Sequence, residues 1–465
     1  MASRRRCCHS APGPARPGRV RCPRRPEPAG VWRDREWAHV LAQLPADLEA
    51  SARASGALRR RREVRSAAAL LRLVLAYALS GWPLRLVAVW AALRGLGELS
   101  DVAVLYRLRG ARGWLGVLVA ALVADGRAAT LGRPVRLRLV DATTVSQPGS
   151  TGTDWRVHLS LSLEPLAIDG VELTDGRGAE ALTRHPVRPG DVQVADRGHA
   201  RRADLGAVLA QGGAVVVRIG WQNLPLEEVD GRPLDLLGWL RGLAGPGERP
   251  ARARTPDGVV GLRLVGLPLA AAAAEAARRR LRRAASKKGR TPDQRSLEAA
   301  GYVVLVSTLP ADAWTTAEVL ALYQVRWQVE LAIKRLKGIW RLDRLRARGA
   351  ELAQVYLLAT LLAALLAERA GRPVPPPGAA WFAAVDRPLS LWRWQLLGHA
   401  VLRDAVLGPL AAAAVRALLP TLRRYLCDPP RRRPQQAAHT RRLLRDRCRD
   451  RPTPPPTACA EAIHA

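Results

Sequence analysis

The chain of 465 residues is long enough for two to four domains, and 48% of it is hydrophobic, which excludes a disordered protein. Its formal net charge of +34 indicates a polyanionic partner, most simply nucleic acid. Only four of the 74 cationic residues are lysine, a skew typical of a coding bias toward arginine. The charge alone is therefore weak support for DNA binding.

Cysteine usage and hydropathy exclude further classes. The cysteines lie only in the basic, proline-rich ends of the chain, so we expect neither a disulfide framework nor a zinc finger; they are Cys7, Cys8, Cys22, Cys427, Cys448 and Cys459. The Arg-rich N-terminus has no apolar run after it, which argues against a secretory signal. The most apolar run, 355–367, is shorter than the roughly 18 residues that span a bilayer. We expect a cytoplasmic protein with no membrane partner.

The first part of the chain predicts a basic arm followed by helices. Residues 1–30 carry many Arg and Pro without periodicity and are expected to be disordered. Over residues 31–131, apolar residues recur at three- and four-residue spacing in four segments, at 67–79, 84–92, 102–108 and 114–124. Such short helices suit a DNA-binding module of helix-turn-helix character and an ordinary helical bundle about equally well.

Residues 132–220 predict a mixed sheet. The first strand begins at Val135, alternates apolar residues with arginine and ends at Asp141. Four more strands are predicted at 157–163, 171–174, 192–194 and 214–219, and the run at 192–194 ends at Asp196. Carboxylates at strand ends lie at the rim of a sheet, where sites are commonly built.

The remaining chain predicts an insertion and more helices. Regularity weakens over 221–300, where we expect a strand at 262–267 and a helix at 269–285. Residues 301–345 return to the sheet domain with a strand at 302–307 and a helix that starts near Thr316, after a capping sequence. Residues 346–426 are expected to be helical, with dimerisation as a candidate role, and 427–465 to form a disordered basic tail.

The helix through 323–337 carries the most informative pattern. At about 100° per residue, four of its polar residues fall on one narrow stripe: Tyr323, Arg326, Glu330 and Lys337. The opposite side carries Val329 and Leu336, so the helix can pack on a core while it presents the stripe to an anionic partner with a metal ion. Lys334 and Lys337 are two of the four lysines. A solvated face with an Arg326/Glu330 pair is the alternative of about equal weight.

Three carboxylates could come together in such a fold. Asp141 and Asp196 at strand ends and Glu330 on the overlying helix match what two-metal phosphodiester chemistry requires, with metals roughly 4 Å apart. Hard oxygen ligands suit Mg²⁺, with Mn²⁺ as a substitute. An aspartate at a strand end is by itself more often a turn former or a helix cap.

Three motifs resemble those of one family. Leu-Val-Asp-Ala-Thr-Thr around Asp141, Ala-Asp-Arg-Gly-His around Asp196, and Tyr323-x2-Arg326-x3-Glu330-x6-Lys337 resemble the signatures of DDE transposases of the IS-four group of prokaryotic insertion sequences. The third motif matches at every spacing, and Trp327 after the arginine is typical of the group. The resemblance covers roughly residues 65–345.

The resemblance implies an RNase H-like α/β core in which Asp141, Asp196 and Glu330 hold two Mg²⁺ ions. Water would cut the transposon end, and the freed 3′-hydroxyl would attack target DNA. Tyr323 and two cations of the stripe, Arg326 and Lys337, would grip terminal phosphates. The implied partners are double-stranded DNA, as inverted repeats and target, and a second copy in a synaptic homodimer; the implied location is the nucleoid.

Three further residues, Trp221, His199 and His158, can be compared with the motifs of the family. Trp221 is our candidate for stacking on a flipped base, although a buried anchor for the insertion is the more common role of such a residue. His199 stands where the group commonly has Tyr, and is a tolerated substitution or a phosphate donor. His158 favours a core or supporting role. The alternatives to a transposase are an RNase H-like nuclease without strand transfer and a repurposed protein that only binds DNA.

Overall fold

The structure is a computed structural model that describes residues 35–59, 63–128, 135–163, 165–370 and 390–410, with 412–413, 415–417, 440–442 and 445. The predicted basic arm at 1–30 and almost all of the predicted tail at 427–465 lie outside the described residues. All six cysteines lie outside them as well.

Helices form the first part of the described chain. Their bounds are α1 (Arg35–Ala42), α2 (Leu48–Ala54), α3 (Ala67–Ser80), α4 (Leu84–Leu93), α5 (Asp101–Gly110) and α6 (Arg112–Ala128). The Ser66 side chain accepts a hydrogen bond from the backbone N–H of Ala69 and caps α3, and Gly81 ends it at φ 75°. The four helices predicted from apolar spacing are present, each extended by one to four residues at one or both ends.

Eight strands form one mixed sheet in the order β3-β2-β1-β4-β5-β8-β7-β6. They are β1 (Arg136–Val145), β2 (Trp155–Ser162), β3 (Ala167–Asp175), β4 (Asp191–Ala195), β5 (Ala214–Arg218), β6 (Gly247–Thr255), β7 (Gly258–Pro268) and β8 (Tyr302–Ser307). The first five keep the order 3-2-1-4-5, with β1 antiparallel to β2 and parallel to β4. This mixed α/β arrangement is consistent with the RNase H-like fold expected from the sequence.

The predicted count of five strands is wrong for the sheet as a whole. The hairpin of β6 and β7, which belongs to the predicted insertion, pairs with β8, and β8 pairs with β5. The insertion thus extends the central sheet and does not stand apart from it. The remaining helices are α7 (Arg202–Ala210), α8 (Leu236–Arg241), α9 (Ala271–Ser286), α10 (Gln294–Ala299), α11 (Thr316–Val325), α12 (Trp327–Gly338), α13 (Ala350–Ala370) and α14 (Leu391–Leu407).

Apolar side chains cover both faces of the sheet. One core joins the N-terminal helices and α11 to α14 with side chains such as Leu139, Leu159 and Val194. The other lies under α7 and α8 and includes Val140 and Val217. Successive residues of a strand point to opposite faces, so neighbours such as Leu139 and Val140 serve different cores. The sheet is therefore the middle of three layers.

Each of the two edge strands has a backbone contact on its outer side. At the β3 edge, the backbone N–H of Ile168 donates to the Glu368 carboxylate of α13 at 3.0 Å. At the β6 edge, Arg252 exchanges two backbone hydrogen bonds with Glu227, each of 2.8 Å. Pro250 lies two residues before Arg252, so its missing N–H falls on the same outer side.

Helix α13 contains the apolar run 355–367 and extends beyond it at both ends. Residues Ala350–Arg369 are long and apolar enough to cross a membrane by length and composition. In this fold 72% of the most apolar window is buried, and the helix packs against α3, α6 and α14. The expectation that the apolar run 355–367 is too short to span a bilayer holds for that run but not for the whole helix that contains it.

Candidate active site

The register between β1 and β4 brings two aspartates side by side. These parallel strands pair up to Val140 opposite Ala195, and the next residues are Asp141 and Asp196. Asp196 keeps an extended backbone, so both carboxylates point to the face that carries Leu139 and Val194. That face is the one covered by α12.

β4 ends at Ala195, and a sharp turn follows at Asp196, so the parallel pairing of β1 with β4 stops after Val140. The Asp196 side chain accepts a hydrogen bond from the backbone N–H of Gly198 at 2.9 Å and caps a 3₁₀ turn. β1 continues to Val145 and pairs there only with β2. Asp141 is thus mid-strand and not at a strand end as predicted, but it lies where the parallel pairing stops. The result is a notch at the rim of the sheet.

The single helix predicted through 323–337 is in fact two helices that meet at Arg326. α11 begins with the predicted cap, in which Thr315 and Glu318 bond each other's backbone N–H groups. It ends at Val325, α12 starts at Trp327, and the backbone N–H groups of Arg326 and Val329 bond carbonyls three residues back. Val329 and Leu336 are buried as predicted. The expectation of one continuous helix is wrong by this break.

Arg326 joins the helix carboxylate to the strand carboxylate. Its guanidinium donates a hydrogen bond to Glu330, and its Nη1 lies 3.6 Å from Oδ2 of Asp141. Asp141 and Glu330 therefore lie on either side of one guanidinium, and Asp196 is the neighbour of Asp141 on the sheet. The three carboxylates predicted from the sequence come together at this notch.

Burial sets the electrostatics of the site. It raises the pKa of Asp141 to about 6, and the nearby Asp196 adds to that rise, while the backbone N–H of Ala142 and the Arg326 guanidinium oppose it. Burial acts in the same direction on Asp196, but hydrogen bonds from His199 and Gly198 outweigh it and lower that pKa. Burial thus disfavours the ionised form of Asp141, a cost that a bound cation would offset.

A fourth carboxylate, which sequence reasoning missed, adjoins Asp196. Among the described residues, one group of acidic and histidine side chains has its ligand atoms mutually within 4.8 Å: Glu180, Asp196 and His199. His199 is buried, and its Nδ1 lies 3.2 Å from Oδ1 of Asp196. His199 therefore orients the carboxylate and is not exposed for a phosphate in this conformation. No motif marks Glu180, which lies in the loop after β3.

Tyr323 and Lys337, the other two residues of the stripe, lie on either side of Arg326 and Glu330 along the chain. Arg326 lies over the ring of Tyr323 at 5.7 Å, so phenol, guanidinium and Glu330 form one contact series. Lys337 is seven residues beyond Glu330 on the same side of α12, about 10 Å away along the axis. Lys334 lies 3.9 Å over the ring of Trp327, which is exposed.

Trp221 and His158 are both held by neighbours. The indole N–H of Trp221 donates to the Ser296 hydroxyl of α10 at 3.0 Å, and Arg295 lies over the ring at 4.6 Å. This half-buried position fits an anchor for the insertion. His158 is buried on the other face, 3.0 Å from Thr174 Oγ1, and burial together with nearby arginines lowers its pKa to about 4. It is neutral at neutral pH, which fits the supporting role expected.

Comparison with known proteins accounts for this arrangement. Residues 134–366, from just before β1 to near the end of α13, match the model of the transposase DDE domain. The chain is 40% identical over 347 residues to the putative transposase InsL for insertion sequence element IS186A of Escherichia coli strain K12, covering 71% of this chain and 92% of the relative. The transposase for insertion sequence element IS421 of Escherichia coli is also 40% identical, over 348 residues, with the same coverage. The chain therefore belongs to the DDE transposase family, whose members are enzymes of DNA transposition.

Proposed function

We propose that the protein cuts the ends of its insertion sequence and joins them to target DNA at Asp141, Asp196 and Glu330. The observation that carries the proposal is the contact of one guanidinium with both Asp141 and Glu330, beside Asp196 in register. The resemblance to the IS-four group adds the Tyr, Arg, Glu, Lys spacing.

A pair of Mg²⁺ ions fits the donors of this site. Oxygen ligands from carboxylates are those that Mg²⁺ and Mn²⁺ prefer, and the burial that raises the pKa of Asp141 disfavours an ionised carboxylate that a bound cation would stabilise. When bound, two such ions would activate an attacking hydroxyl and stabilise the leaving oxygen of a phosphodiester. Asp141, Asp196 and Glu330 would hold them, with His199 fixing the orientation of Asp196.

The cations of the stripe would position the DNA strand. Arg326 donates a hydrogen bond to Glu330 in the protein alone, so its guanidinium is already held in position. A DNA phosphate that replaced this contact could accept two parallel hydrogen bonds from it. Tyr323 and Lys337 flank it on the same side of the helices. Phosphate contacts of this kind fix the register of the strand and carry no base preference. Trp221 remains our candidate for a base contact, because the segment after β5 also reaches the turn at Asp196: Asn223 donates to the carbonyl of Arg197 at 3.0 Å.

The surrounding regions suggest the other partners. The helices α1 to α6 would bind the inverted repeats. α14 exposes apolar side chains along one face, Trp392, Leu396, Leu397 and Val401, which suits contact with a second copy in a homodimer. A DNA-acting enzyme of this kind would work in the cytoplasm at the nucleoid.

Cleavage of the protein's own inverted repeats tests the proposal. We expect Mg²⁺-dependent nicking, and we expect single Asp141→Ala, Asp196→Ala and Glu330→Ala variants to bind the repeats but leave them uncut. Glu351→Ala is the matched control, since Glu351 is an exposed carboxylate paired with Arg109 outside the site. Nicking that survives in any of the three variants would contradict the assignment. Joining of a 3′-hydroxyl product to a second DNA separates a transposase from a nuclease without strand transfer.

A further inference from the structure

A basic cavity lies beyond the C-terminal end of α12, outside the three-carboxylate site. Its volume is about 450 Å³, and it is enclosed by the end of α3, the segment 340–346, α13 and α14. Glu330 is eight residues before Gly338 at the end of α12, about 12 Å along the helix axis. The cavity begins two residues later, at Trp340.

Three guanidinium groups that have no side-chain partner among the described residues line this cavity. Those of Arg341, Arg344 and Arg403 form no hydrogen bond or ion pair with another side chain in the part of the chain that the structure describes. No described acidic residue lines the cavity. Cations that converge in a concave, partly enclosed space raise the local positive potential and attract anions.

The backbone of the cavity is fixed before any ligand binds. Arg341 has φ 56° and is the one non-glycine residue with a positive φ among the described residues. The Tyr356 hydroxyl donates to its carbonyl at 2.9 Å. Arg346, the fourth arginine of the lining, donates hydrogen bonds to the carbonyls of Tyr77 and Trp82 at 3.0 and 3.1 Å. Its guanidinium therefore holds the cavity wall together. Strain held in place by surrounding contacts is common where a side chain must meet a ligand.

An aromatic wall completes the cavity. Trp340 is buried, and its indole N–H donates to Gln395 of α14 at 3.2 Å. The His399 ring meets the Trp340 ring edge to face at 4.9 Å. Burial and the neighbouring Arg403 and Arg341 lower the pKa of His399, so its ring is neutral and offers a hydrogen bond without another charge.

We propose that this cavity binds a nucleotide phosphate of a DNA strand, independently of the catalytic metals. Guanidinium forks match phosphate oxygens in geometry and charge, and the volume exceeds a lone phosphate and fits a nucleotide. At 3.4 Å of rise per nucleotide, the 12 Å to the end of α12 corresponds to about four nucleotides from the bond to be cut. The inference rests on the proposed function for the identity of the strand.

Arginine footprinting of the full chain in EDTA tests the site directly. Phenylglyoxal modification of each arginine is measured by mass spectrometry with no ligand, with inorganic phosphate, with a mononucleotide and with an inverted-repeat duplex. We expect the duplex to protect Arg341, Arg344 and Arg403, and the two small probes at equal phosphate concentration to leave them reactive. Equal protection by a small probe would overturn the DNA assignment in favour of a free-anion site. Full reactivity with the duplex would overturn the site altogether.

Salt dependence gives a second measurement. The double variant Arg344→Gln/Arg403→Gln should lower the slope of log K against log[salt] by about 1.8, at about 0.9 per lost phosphate contact. The control Arg232→Gln/Arg241→Gln removes two exposed arginines that are each paired with a carboxylate outside the proposed DNA-binding regions, and should leave the slope unchanged. An equal change in both would contradict the proposal. Glu330→Ala protein should give the wild-type footprint, so failure of the carboxylate assignment and failure of the cavity are separate results.

Discussion

Asp141→Asn should make the metal-free protein more stable at neutral pH. The folded state raises the pKa of Asp141 from 3.8 to about 6, so it binds this proton more tightly than the unfolded chain does. The stability is therefore greatest below about pH 4, falls as the pH rises to about 6 and stays low above it. Two pKa units correspond to about 3 kcal/mol at about 1.4 kcal/mol per unit. Solvent access to 17% of the side chain reduces this to an expected gain of about 2 kcal/mol.

Urea unfolding in EDTA measures this gain. The difference between Asp141→Asn and wild type should be about 2 kcal/mol at pH 7.5 and should disappear below about pH 3, where the wild-type carboxyl is protonated in both states. Asparagine keeps the shape of the side chain and an oxygen that can accept from the Ala142 N–H. Added Mg²⁺ should stabilise the wild type more than the variant, because only the wild type offers this carboxylate.

A second buried aspartate provides the opposite control. Asp191 accepts from Arg136 Nε at 2.8 Å and lies 3.5 Å from Arg138 Nη1, and all of this is buried or nearly so. Asp191→Asn removes the buried negative charge that faces both cations, leaves Arg138 with Asp169 as its remaining carboxylate, and should cost about 3–5 kcal/mol. The reasoning would be refuted if the unfolding free energy of Asp141→Asn in EDTA at pH 7.5 were equal to or lower than that of wild type. Burial of the Asp141 charge would then cost nothing.

Three further substitutions test local features. Gly198→Ala places a Cβ against the Glu180 carboxylate, so we expect slower Mg²⁺-dependent nicking in a plasmid assay and a change in unfolding free energy within about 1 kcal/mol. Gly170→Ala meets the buried His185 ring at 2.7 Å and should lower the unfolding free energy in urea by about 1–3 kcal/mol. Thr315→Ala removes the capping box of α11 and should cost about 1 kcal/mol in thermal unfolding.

Local patterns in the sequence were sufficient to predict a helix or strand where that element packs through one face. The apolar spacing in 67–79 and 84–92 predicts α3 and α4 within one residue at each end, because each helix buries that spacing in the core. The same holds for β8, predicted at 302–307. The alternation before Asp141 and the capping sequence before Thr316 placed the acidic motifs on the correct elements.

Features that depend on distant partners were not visible in the sequence. Strand β6 reads Gly-Glu-Arg-Pro-Ala-Arg-Ala-Arg-Thr, which has no strong apolar alternation, and it forms because β7 pairs with it. The break at Arg326 follows no helix-breaking residue. Glu180 reaches Asp196 only through the return of the chain after β3. Each of these is decided by pairing or packing across the fold, so spacing along the chain carries no signal for it.

The closed edges of the sheet restrict how copies of the protein can associate. Glu368 takes a backbone donor at one end of the eight strands, and Pro250 with the Glu227 contact blocks the other. At these two points a second copy, or an extended peptide, could pair with the sheet only by displacing these contacts. Contact through side-chain surfaces, such as the exposed apolar face of α14, needs no such displacement. The same contacts interrupt the row of backbone groups at each end of a long hydrogen-bonded sheet, which opposes its use as a template for aggregation.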